Sequence, residues 1–289
     1  MKIKKAVILA AGFGTRMLPA SKAIPKELLP VVDTPAIQLV VEEIVASGIT
    51  DIVMVISRGK GALLDHFAPA PELESFLERR GKLDLLEIVR RTARMARITT
   101  AEQREPLGIG HAVLQARGAV GDEPFAVILP DDIFDSQRPC LGQLIDVAQE
   151  HDGPVVALLR LPRAELSKYG IVEAQPLGPR LHRLTGMVEK PPIGKAPSDM
   201  AIMGRYVLPA EIFGILERVK PGQGGEIQLT DALLELGRRR TLFGYEFEGT
   251  RYDLGDRLGF VTAQIAYGLR NPQLADKLRS YLASIISPR

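Results

Sequence analysis

The chain has 289 residues, of which 46% are hydrophobic, so it is long enough to bury a large core in one α/β domain. Lys and Arg (37) nearly balance Asp and Glu (35), so the net charge of +2 gives no strong field for nucleic acid and any basic site must be local. Cys140 is the only cysteine, which excludes an internal disulfide and a cysteine-based metal site and favours a reducing compartment.

The chain lacks the hydrophobic segments that targeting or membrane insertion would need. The apolar run at 6–11 is shorter than the hydrophobic region of a signal peptide and leads straight into glycines, so we expect a β-strand there. No stretch approaches the roughly 20 apolar residues of a spanning helix. We therefore expect a soluble, cytoplasmic protein with no membrane or nucleic-acid partner.

Four short apolar runs lack the polar alternation of half-exposed strands. Such runs are typical of strands buried on both faces of a parallel sheet, and they lie at 6–10, 52–56, 126–129 and 155–159. Between the first two, an amphipathic helix is predicted, with Thr34 as N-cap, Pro35 at its first position and Gly48 at its end, which completes a βαβ unit. Further along, 71–97 predicts an inserted helical hairpin around Gly81, and 256–286 predicts amphipathic helix.

The first predicted strand runs into a loop that contains Gly12 and Gly14, whose backbone N–H groups could surround phosphate oxygens. The dinucleotide-binding pattern requires a third glycine where Met17 stands, and the Gly-Lys-Ser/Thr phosphate loop is also absent. Two glycines after a strand are equally compatible with a simple tight turn. Met17 also argues against a dehydrogenase.

The segment after this loop carries cations on a backbone stiffened by three prolines. Arg16, Lys22 and Lys26 can converge on one polyphosphate, because the prolines deny the segment a continuous helix and hold it beside the glycines. Scattered cations are otherwise ordinary solvated surface. This combination favours a phosphate-binding site.

The stretch AAGFGTRMLPASKAIPKELLPVVDTP, at 10–35, resembles the signature of bacterial UTP–glucose-1-phosphate uridylyltransferases, which are sugar nucleotidyltransferases. Later segments agree in the same order, namely QREPLGIGHAV, VILPDD, YGIVE, MVEKP, IMGRYVL, GGEIQLTDAL and RYDLGD. The resemblance covers nearly the whole chain, and it is least distinctive in the helical hairpin and at the two termini. It implies an α/β, Rossmann-like nucleotidyltransferase fold with a mixed, mainly parallel central sheet flanked by helices, a helical insertion and C-terminal helices.

The resemblance also implies an organisation and a reaction. We expect a single domain over 1–289, with a nucleotide-binding half at about 1–135, a sugar-binding half at about 136–255 and a C-terminal helical region at about 256–289. The implied reaction joins UTP and α-D-glucose-1-phosphate into UDP-glucose and pyrophosphate with Mg²⁺ as cofactor. The implied assembly is a homo-oligomer, either a dimer or a tetramer.

Nucleotidyl transfer requires in-line attack on the α-phosphorus, so the protein must align two anions and neutralise their repulsion. By resemblance, the catalytic residues are Arg16 on the β- and γ-phosphates, Lys26 near the α-phosphate, and Lys190. The nucleotide-binding residues implied in the same way are Ala11, Gly12, Gly14, Thr15, Glu27, Gln103 and Gly108. Exposed Gln and a glycine before a helix also have ordinary structural explanations. We assign His111 to structure, because this chemistry needs no histidine base.

Asp131 follows a predicted buried strand, at the edge of the sheet where ligands bind in open α/β folds. Magnesium prefers few carboxylates together with substrate phosphates, and the resemblance places a second ligand at Asp253. Asp132 is the alternative to Asp131, and these aspartates, with Asp135, could also be turn formers or helix caps. We expect Asp256 to be structural.

For the sugar phosphate, Glu189 and Lys190 are adjacent, and the prolines at 191 and 192 keep the chain extended beside them. One side chain can bind hydroxyls while the other meets phosphate, although a solvated Glu–Lys pair is the ordinary alternative. By resemblance, Gly170 and Gly204 belong to the sugar pocket.

Two other functions remain open at this stage. A thymidylyltransferase, or mixed UTP and dTTP use, is compatible with the sequence because uracil and thymine differ by one methyl group, which pockets discriminate only about 10- to 200-fold. An inactive regulatory module that binds nucleotide sugars is disfavoured, because the residues that an inactive protein would lose first by substitution are all present. Those residues are Arg16, Lys26, Asp131, Lys190 and Asp253.

Overall fold

A mixed central β-sheet with helices on both faces forms the framework of the computed structural model, which describes residues 1–286. The last three residues of the predicted C-terminal region, 287–289, lie outside the described residues. The strands in chain order are β1 (Lys5–Ala10), β2 (Pro30–Val31), β3 (Thr34–Pro35), β4 (Asp51–Ile56), β5 (Arg97–Glu102), β6 (Phe125–Ile128), β7 (Asp132–Asp135), β8 (Val155–Arg160), β9 (Gly170–Pro176), β10 (Leu181–Glu189), β11 (Met200–Leu208), β12 (Phe243–Glu246) and β13 (Thr250–Asp253). The helices are α1 (Ala36–Ala46), α2 (Ala62–Asp65), α3 (Pro71–Arg79), α4 (Leu83–Arg94), α5 (Ile109–Gln115), α6 (Arg117–Val120), α7 (Cys140–Glu150), α8 (Glu211–Leu216), α9 (Leu229–Arg239), α10 (Arg257–Gly268) and α11 (Ala275–Ile286).

The central sheet has the strand order β5-β4-β1-β6-β11-β8-β12-β10-β9. Strands β10 and β11 run opposite to the other seven, so the predicted mixed sheet is confirmed, with seven of its nine strands running in one direction. The four apolar runs of the sequence form β1, β4, β6 and β8. Two small antiparallel ribbons, β2–β3 and β7–β13, lie outside this sheet.

Both faces of β1 are buried, which explains why its sequence has no polar alternation. Ala6 and Ile8 pack in one hydrophobic cluster with α1 and α7, whereas Val7 packs in a second cluster with α5, α8 and α9. Successive side chains of a strand point to opposite faces, so a strand covered on both faces must be apolar throughout. The sheet is therefore the middle layer of three.

The first helix differs from the prediction at its start. Thr34 and Pro35 form the short strand β3, which pairs with β2, so the backbone at Thr34 is extended and the helix begins at Ala36. Thr34 therefore does not cap the helix, and Pro35 occupies the N-cap position. The predicted end is confirmed: the helix stops at Ala46, and Gly48 follows with a φ of +88° that favours glycine.

The other helical predictions are confirmed. Helices α3 and α4 form the inserted hairpin, with Gly81 between them at a φ of +66°. Asp256 is structural, as expected, because its carboxylate accepts a hydrogen bond from the backbone N–H of Leu258 at 2.8 Å and caps α10. Among the described residues, every helix is too short or too polar to cross a bilayer.

Candidate active site

The glycine loop leaves the carboxyl end of β1 and is tied down at Gly14. Gly14 has a φ of +67°, and a Cβ at this position would lie 3.2 Å from the Cβ of Lys26. Its carbonyl oxygen accepts hydrogen bonds from the Ser21 hydroxyl at 2.7 Å and from the Met17 N–H at 2.9 Å. At Gly12, by contrast, no atom lies within 4 Å of where a Cβ would stand. The loop is thus fixed on one side and open on the other.

The two neighbours of these glycines differ in exposure. Ala11 is buried at the end of β1, and Thr15 begins a 3₁₀ turn over Thr15–Met17. A loop that is anchored at both ends keeps its open backbone groups in place. Their contact with a nucleotide stays a prediction.

Lys26 and Arg16 both approach one carboxylate, that of Asp131. The Lys26 Nζ donates to Asp131 Oδ2 at 2.7 Å, and the Arg16 guanidinium lies 3.6 Å from the same oxygen. The side chain of Lys26 is 16% exposed and that of Arg16 is 63% exposed. Arg16 can therefore move toward a ligand more easily than Lys26, whose stem is packed. Lys22 is exposed and forms no ion pair within residues 1–286.

The Lys26–Asp131 contact governs the protonation of both groups. Burial alone would raise the pKa of Asp131, but the charge and hydrogen bond of Lys26 outweigh it, so the pKa lies below its ordinary value. Burial alone would lower the pKa of Lys26, but attraction to Asp131 outweighs it and raises that pKa. The site therefore holds an ammonium and a carboxylate at neutral pH.

Gly255 marks the point where residues distant in the chain converge. A Cβ at Gly255 would lie 2.6 Å from the Arg16 guanidinium, 2.9 Å from Asp131 Oδ2 and 3.1 Å from Asp253 Oδ1. The backbone N–H of Gly255 donates to Asp253 Oδ1 at 2.9 Å, and the N–H of Leu254 donates to the Asp131 carbonyl at 2.7 Å. The glycine loop and the 253–255 turn thus meet around a small space that only glycine leaves open.

Asp132 is held away from this space. Its Oδ1 accepts from the Arg251 Nε at 2.7 Å, and its Oδ2 accepts from the Gly204 N–H at 3.0 Å. Burial raises the pKa of Asp132 against the opposing charge of Arg251, and the residue is only 5% exposed. Both oxygens of Asp132 are thus engaged by the protein, whereas Asp131 faces the cations of the site.

The residues around Gly255 fit a Mg²⁺ ion. Asp131 and Asp253 each bring a carboxylate oxygen to one small space, and carboxylates are the hard ligands that Mg²⁺ prefers. Within residues 1–286, no group of three or more His, Cys, Asp or Glu side chains could hold a metal by itself. An ion here would therefore take its remaining ligands from substrate phosphates and water, as Mg²⁺ usually does.

Gln103 and Gly108 lie together at the start of α5. The Gln103 Nε2 donates to the Gly108 carbonyl at 3.2 Å and contacts His111 Nδ1 at 3.0 Å. Gly108 has a φ of +97°, and a Cβ there would lie 2.9 Å from the Ile227 carbonyl. Gln103, Gly108 and His111 thus each make contacts within the protein. Their contact with a uracil stays a prediction.

Glu27 forms a buried ion pair that sequence reasoning missed. Both of its carboxylate oxygens accept from the Lys60 Nζ, at 2.8 Å and 2.9 Å, and Glu27 is 2% exposed. Burial lowers the pKa of Lys60 against the attraction of Glu27. Lys60 lies between two glycines just beyond the carboxyl end of β4, the same signal that marked the first loop. Glu27 would therefore have to contact the nucleotide while its carboxylate is paired with the Lys60 ammonium.

Glu189, Lys190 and Gly170, which are predicted to bind the sugar phosphate, lie next to one another. The Thr230 hydroxyl donates to Glu189 Oε2 at 2.6 Å, and a Cβ at Gly170 would lie 3.1 Å from that oxygen. The Lys190 Nζ lies 3.4 Å from Glu189 Oε1 and remains half exposed. Lys190 has a φ of +45°, which is uncommon for a residue with a side chain and often accompanies functional sites.

Gly204 packs against Asp132. A Cβ at Gly204 would stand 2.6 Å from Asp132 Oδ2 and 2.8 Å from the Leu129 Cβ, so packing already requires glycine. Its predicted sugar contact stays a prediction. The structure also identifies Arg251, Thr230 and Gly255 as members of the site that sequence reasoning left unassigned. Each of them stands within a motif of the family signature, which was the available signal.

A sequence model of the nucleotidyl transferase family matches residues 5–268. The chain is 46% identical over 286 residues to the UTP–glucose-1-phosphate uridylyltransferase of Bacillus subtilis (strain 168), a match that covers 99% of this chain and 98% of that protein. A solved UDP-glucose pyrophosphorylase complexed with UDP-glucose has a TM-score of 0.86 and 38% identity, covering 93% of this chain and all of that one. The UTP-bound enzyme of that name from Acinetobacter baumannii has a TM-score of 0.90 and 38% identity, covering 97% of this chain and 99% of that one. The similarity therefore extends over nearly the whole length of each protein.

Proposed function

Because the chain belongs to the nucleotidyl transferase family, we propose that it is a UTP–glucose-1-phosphate uridylyltransferase. The enzyme transfers the uridylyl group of UTP to glucose-1-phosphate, forming UDP-glucose and releasing pyrophosphate. The observation that carries the proposal is the convergence of Arg16, Asp131 and Asp253 around Gly255. This arrangement supplies cations and carboxylates where a polyphosphate chain would have to be held.

The reaction requires positioning and charge neutralisation more than covalent chemistry by the protein. A phosphate oxygen of glucose-1-phosphate attacks the α-phosphorus of UTP in line. The bond from the α-phosphorus to the oxygen that bridges to the β-phosphorus breaks, and pyrophosphate leaves with the electron pair. No proton needs to move, which agrees with the structural assignment of His111.

Each cation has a role that suits its chemistry. Arg16, exposed and with a planar guanidinium, clamps the β- and γ-phosphates, because an arginine fork matches phosphate oxygens. Lys26 neutralises charge at the α-phosphate. Because its aliphatic stem is packed, its ammonium can move only a short distance from Asp131. Lys190 meets the phosphate of the sugar, and Glu189 binds sugar hydroxyls. These roles are supported by position and charge.

Asp131 and Asp253 would hold Mg²⁺, while Asp132 serves the structure through Arg251 and Gly204. A bound Mg²⁺ supplies charge neutralisation and alignment for the phosphate oxygens. When phosphates enter, the Lys26 ammonium can exchange its hydrogen bond to Asp131 for one to the substrate. The Asp131 carboxylate would then be free to bind Mg²⁺.

We further propose the wider organisation that the family implies. Residues 1–135 bind the nucleotide and 136–255 bind the sugar phosphate within one domain, with Asp253 reaching back to the nucleotide side. The enzyme operates in the cytoplasm as a homo-oligomer, and the exposed apolar residues Leu258 and Val261 of α10 are available for such an interface.

The test is pyrophosphate release by purified protein with Mg²⁺, comparing UTP, dTTP, ATP and CTP, each with and without glucose-1-phosphate. Release that depends on the sugar phosphate and is fastest with UTP is expected. A preference for dTTP would assign a thymidylyltransferase on the same fold. A folded protein that binds nucleotide and releases no pyrophosphate would instead be a regulatory module.

A further inference from the structure

The ribbon formed by β7 and β13 places two carboxylates opposite each other. Asp253 pairs with Asp132 in the antiparallel register, and like charges at directly opposite positions repel. Arg251 stands two residues before Asp253, on the same face of its strand. Its Nε donates to Asp132 Oδ1 at 2.7 Å, and its Nη2 lies 3.4 Å from Asp253 Oδ2. The guanidinium therefore lies between the two aspartates and offsets their repulsion.

Tyr169 joins the same network from the sugar side. Its hydroxyl accepts from the Arg251 Nη1 at 3.1 Å and donates to Asp253 Oδ2 at 3.4 Å, while the guanidinium lies 5.1 Å from the centre of its ring. The carbonyl oxygen of Tyr169 accepts from the backbone N–H of Lys190 at 3.0 Å. One residue thus contacts both the carboxylate expected to hold the metal and the lysine expected to meet the sugar phosphate.

Both oxygens of Asp253 are oriented by these neighbours. Oδ1 accepts from the Gly255 N–H, and Oδ2 faces Tyr169 and Arg251. Arg251 itself is 9% exposed at its side chain and is paired with the buried Asp132. It is therefore placed to act through Asp253 and not on a substrate. An arginine can serve two carboxylates and a hydroxyl at once, because its planar guanidinium presents five N–H donors in a fixed fork.

We propose that Arg251 is a positioning residue that, together with Tyr169, fixes the Asp253 carboxylate for a divalent cation and connects it to the sugar-phosphate lysine, Lys190. This role rests on the proposed function, because it takes Asp253 as a metal ligand. Partners that orient a metal ligand commonly change metal affinity or activity about 10- to 100-fold when removed. A purely structural Arg251 would only neutralise Asp132.

The test measures Mn²⁺ binding without turnover. The protein is titrated with Mn²⁺ in the presence of UDP-glucose and in the absence of pyrophosphate, and free Mn²⁺ is followed by electron paramagnetic resonance. Arg251→Met alone would leave the buried Asp132 carboxylate without its counter-charge, and that protein could fail to fold. The substitution is therefore combined with Asp132→Asn. Tyr169→Phe removes only the hydroxyl that touches Asp253.

A matched control exists elsewhere in the chain. Arg270 also pairs with an aspartate, Asp135, and lies 5.8 Å from the centre of a tyrosine ring, that of Tyr267, outside the site. Arg270→Met is therefore expected to leave Mn²⁺ binding unchanged. It reports what the loss of an Arg–Asp–Tyr contact does by itself.

The folded double variant Asp132→Asn/Arg251→Met is expected to bind Mn²⁺ about 10- to 100-fold more weakly than the wild type and to require more glucose-1-phosphate for half-maximal rate. Tyr169→Phe is expected to shift both quantities in the same direction by less. Wild-type Mn²⁺ affinity in the folded double variant would overturn the role of Arg251. If that variant does not fold, wild-type affinity in Tyr169→Phe overturns it.

The two proposals fail in different measurements. No UDP-glucose formation by the wild-type protein would overturn the proposed function. Normal UDP-glucose formation together with unaltered Mn²⁺ affinity in the variants would overturn the positioning role alone.

Discussion

Asp131 and Asp132 are neighbours in the chain, yet their carboxylates lie in separate networks. Asp131 accepts from Lys26, whereas Asp132 accepts from Arg251 and from the Gly204 N–H. Asp131 lies in the turn that follows β6, whereas Asp132 begins β7, and the Asp131 carboxylate faces the open site while that of Asp132 is buried. The pair separates a candidate metal ligand from a structural residue.

Substitution of Asp131 and substitution of Asp132 should therefore have different effects. Asp131→Asn is expected to lower turnover at least roughly 100-fold and to weaken the Mg²⁺ dependence, because charge aimed at the transferred group is lost. Asp132→Asn is expected to lower the free energy of unfolding by about 3 kcal/mol, because it breaks a buried ion pair with Arg251. Urea unfolding and pyrophosphate release on both variants check this. A stable Asp132→Asn protein without Mg²⁺ dependence would reverse the assignment.

Lys26→Ala should lower kcat by roughly 100- to 1,000-fold, the range seen when a preorganised donor to a developing charge is removed. The melting temperature should change only slightly, because the Lys26 side chain is partly exposed and its ion pair with Asp131 is one of several contacts there. Lys2→Ala is the control, since it removes an exposed lysine that lies outside the candidate site. Equal turnover in the wild type and Lys26→Ala would reject the catalytic role.

The buried pair of Arg205 and Glu43 should be a major determinant of stability. Arg205 is fully buried, and its Nη2 donates to Glu43 Oε2 at 2.7 Å and to the Asp132 carbonyl at 2.9 Å. Glu43→Gln should lower the free energy of unfolding by about 3–5 kcal/mol, because an uncompensated guanidinium remains in the core. Glu42→Gln, one residue away and partly exposed, should change it by less than about 0.5 kcal/mol. Similar urea midpoints for the two variants would contradict this account.

Arg205 also shows why part of the fold escaped prediction. Strands β1, β4, β6 and β8 are apolar runs, so their burial can be read locally. Strand β11 is equally buried, but it contains Arg205, whose partner lies on α1. No local pattern indicates that an arginine will be neutralised by a residue 162 positions away. The start of α1 was wrong for a related reason, since pairing of β3 with β2 overrode a good capping residue.

The candidate site, like the fold, could be predicted only in part from the sequence. Arg16, Lys26, Asp131 and Asp253 stand in recognisable motifs, and the structure brings them together. Their roles stay predictions. Lys60 and Arg251 were missed although a pair of glycines and the RYDLGD motif surround them, because the role of each depends on its partner, Glu27 or Asp132. Contacts between distant segments were thus the information that the sequence motifs could not provide.

Stability in acid should depend on Glu246. Burial alone would raise the pKa of Glu246, but hydrogen bonds from Arg160 and His182 outweigh it, so this pKa lies below its ordinary value of 4.5. The unfolded chain then binds the proton more readily, so this contribution is present above the ordinary pKa and is lost as the pH falls through the folded value.

Glu246→Gln should therefore lose less stability than the wild type as the pH falls below about 4.5, the ordinary value for this group. Glu248→Gln, which removes the same charge from a more exposed position, should follow the wild type. Urea unfolding at a series of pH values between neutral and acid checks the slopes. Parallel curves for Glu246→Gln and the wild type would show that the contacts with Arg160 and His182 do not control this titration.

Gly255→Ala provides a test of the site that adds a single methyl group. The backbone at Gly255 is not in the left-handed region, so alanine can adopt it, but the methyl would lie 2.6 Å from the Arg16 guanidinium and 2.9 Å from Asp131 Oδ2. Both side chains must move. Because displacement of about 1 Å in a positioned group can cost about 100-fold in rate, we expect a loss of that order in kcat.

The fold should tolerate this change, because the displaced groups are side-chain ends beside an open space. Gly118→Ala is the matched control: no atom lies within 4 Å of its added Cβ, and it should keep full activity and gain slightly in stability. Melting temperature and steady-state turnover are measured on both variants. A fully active Gly255→Ala enzyme would mean that Arg16, Asp131 and Asp253 do not act in the arrangement seen here, because the methyl group occupies the space they share.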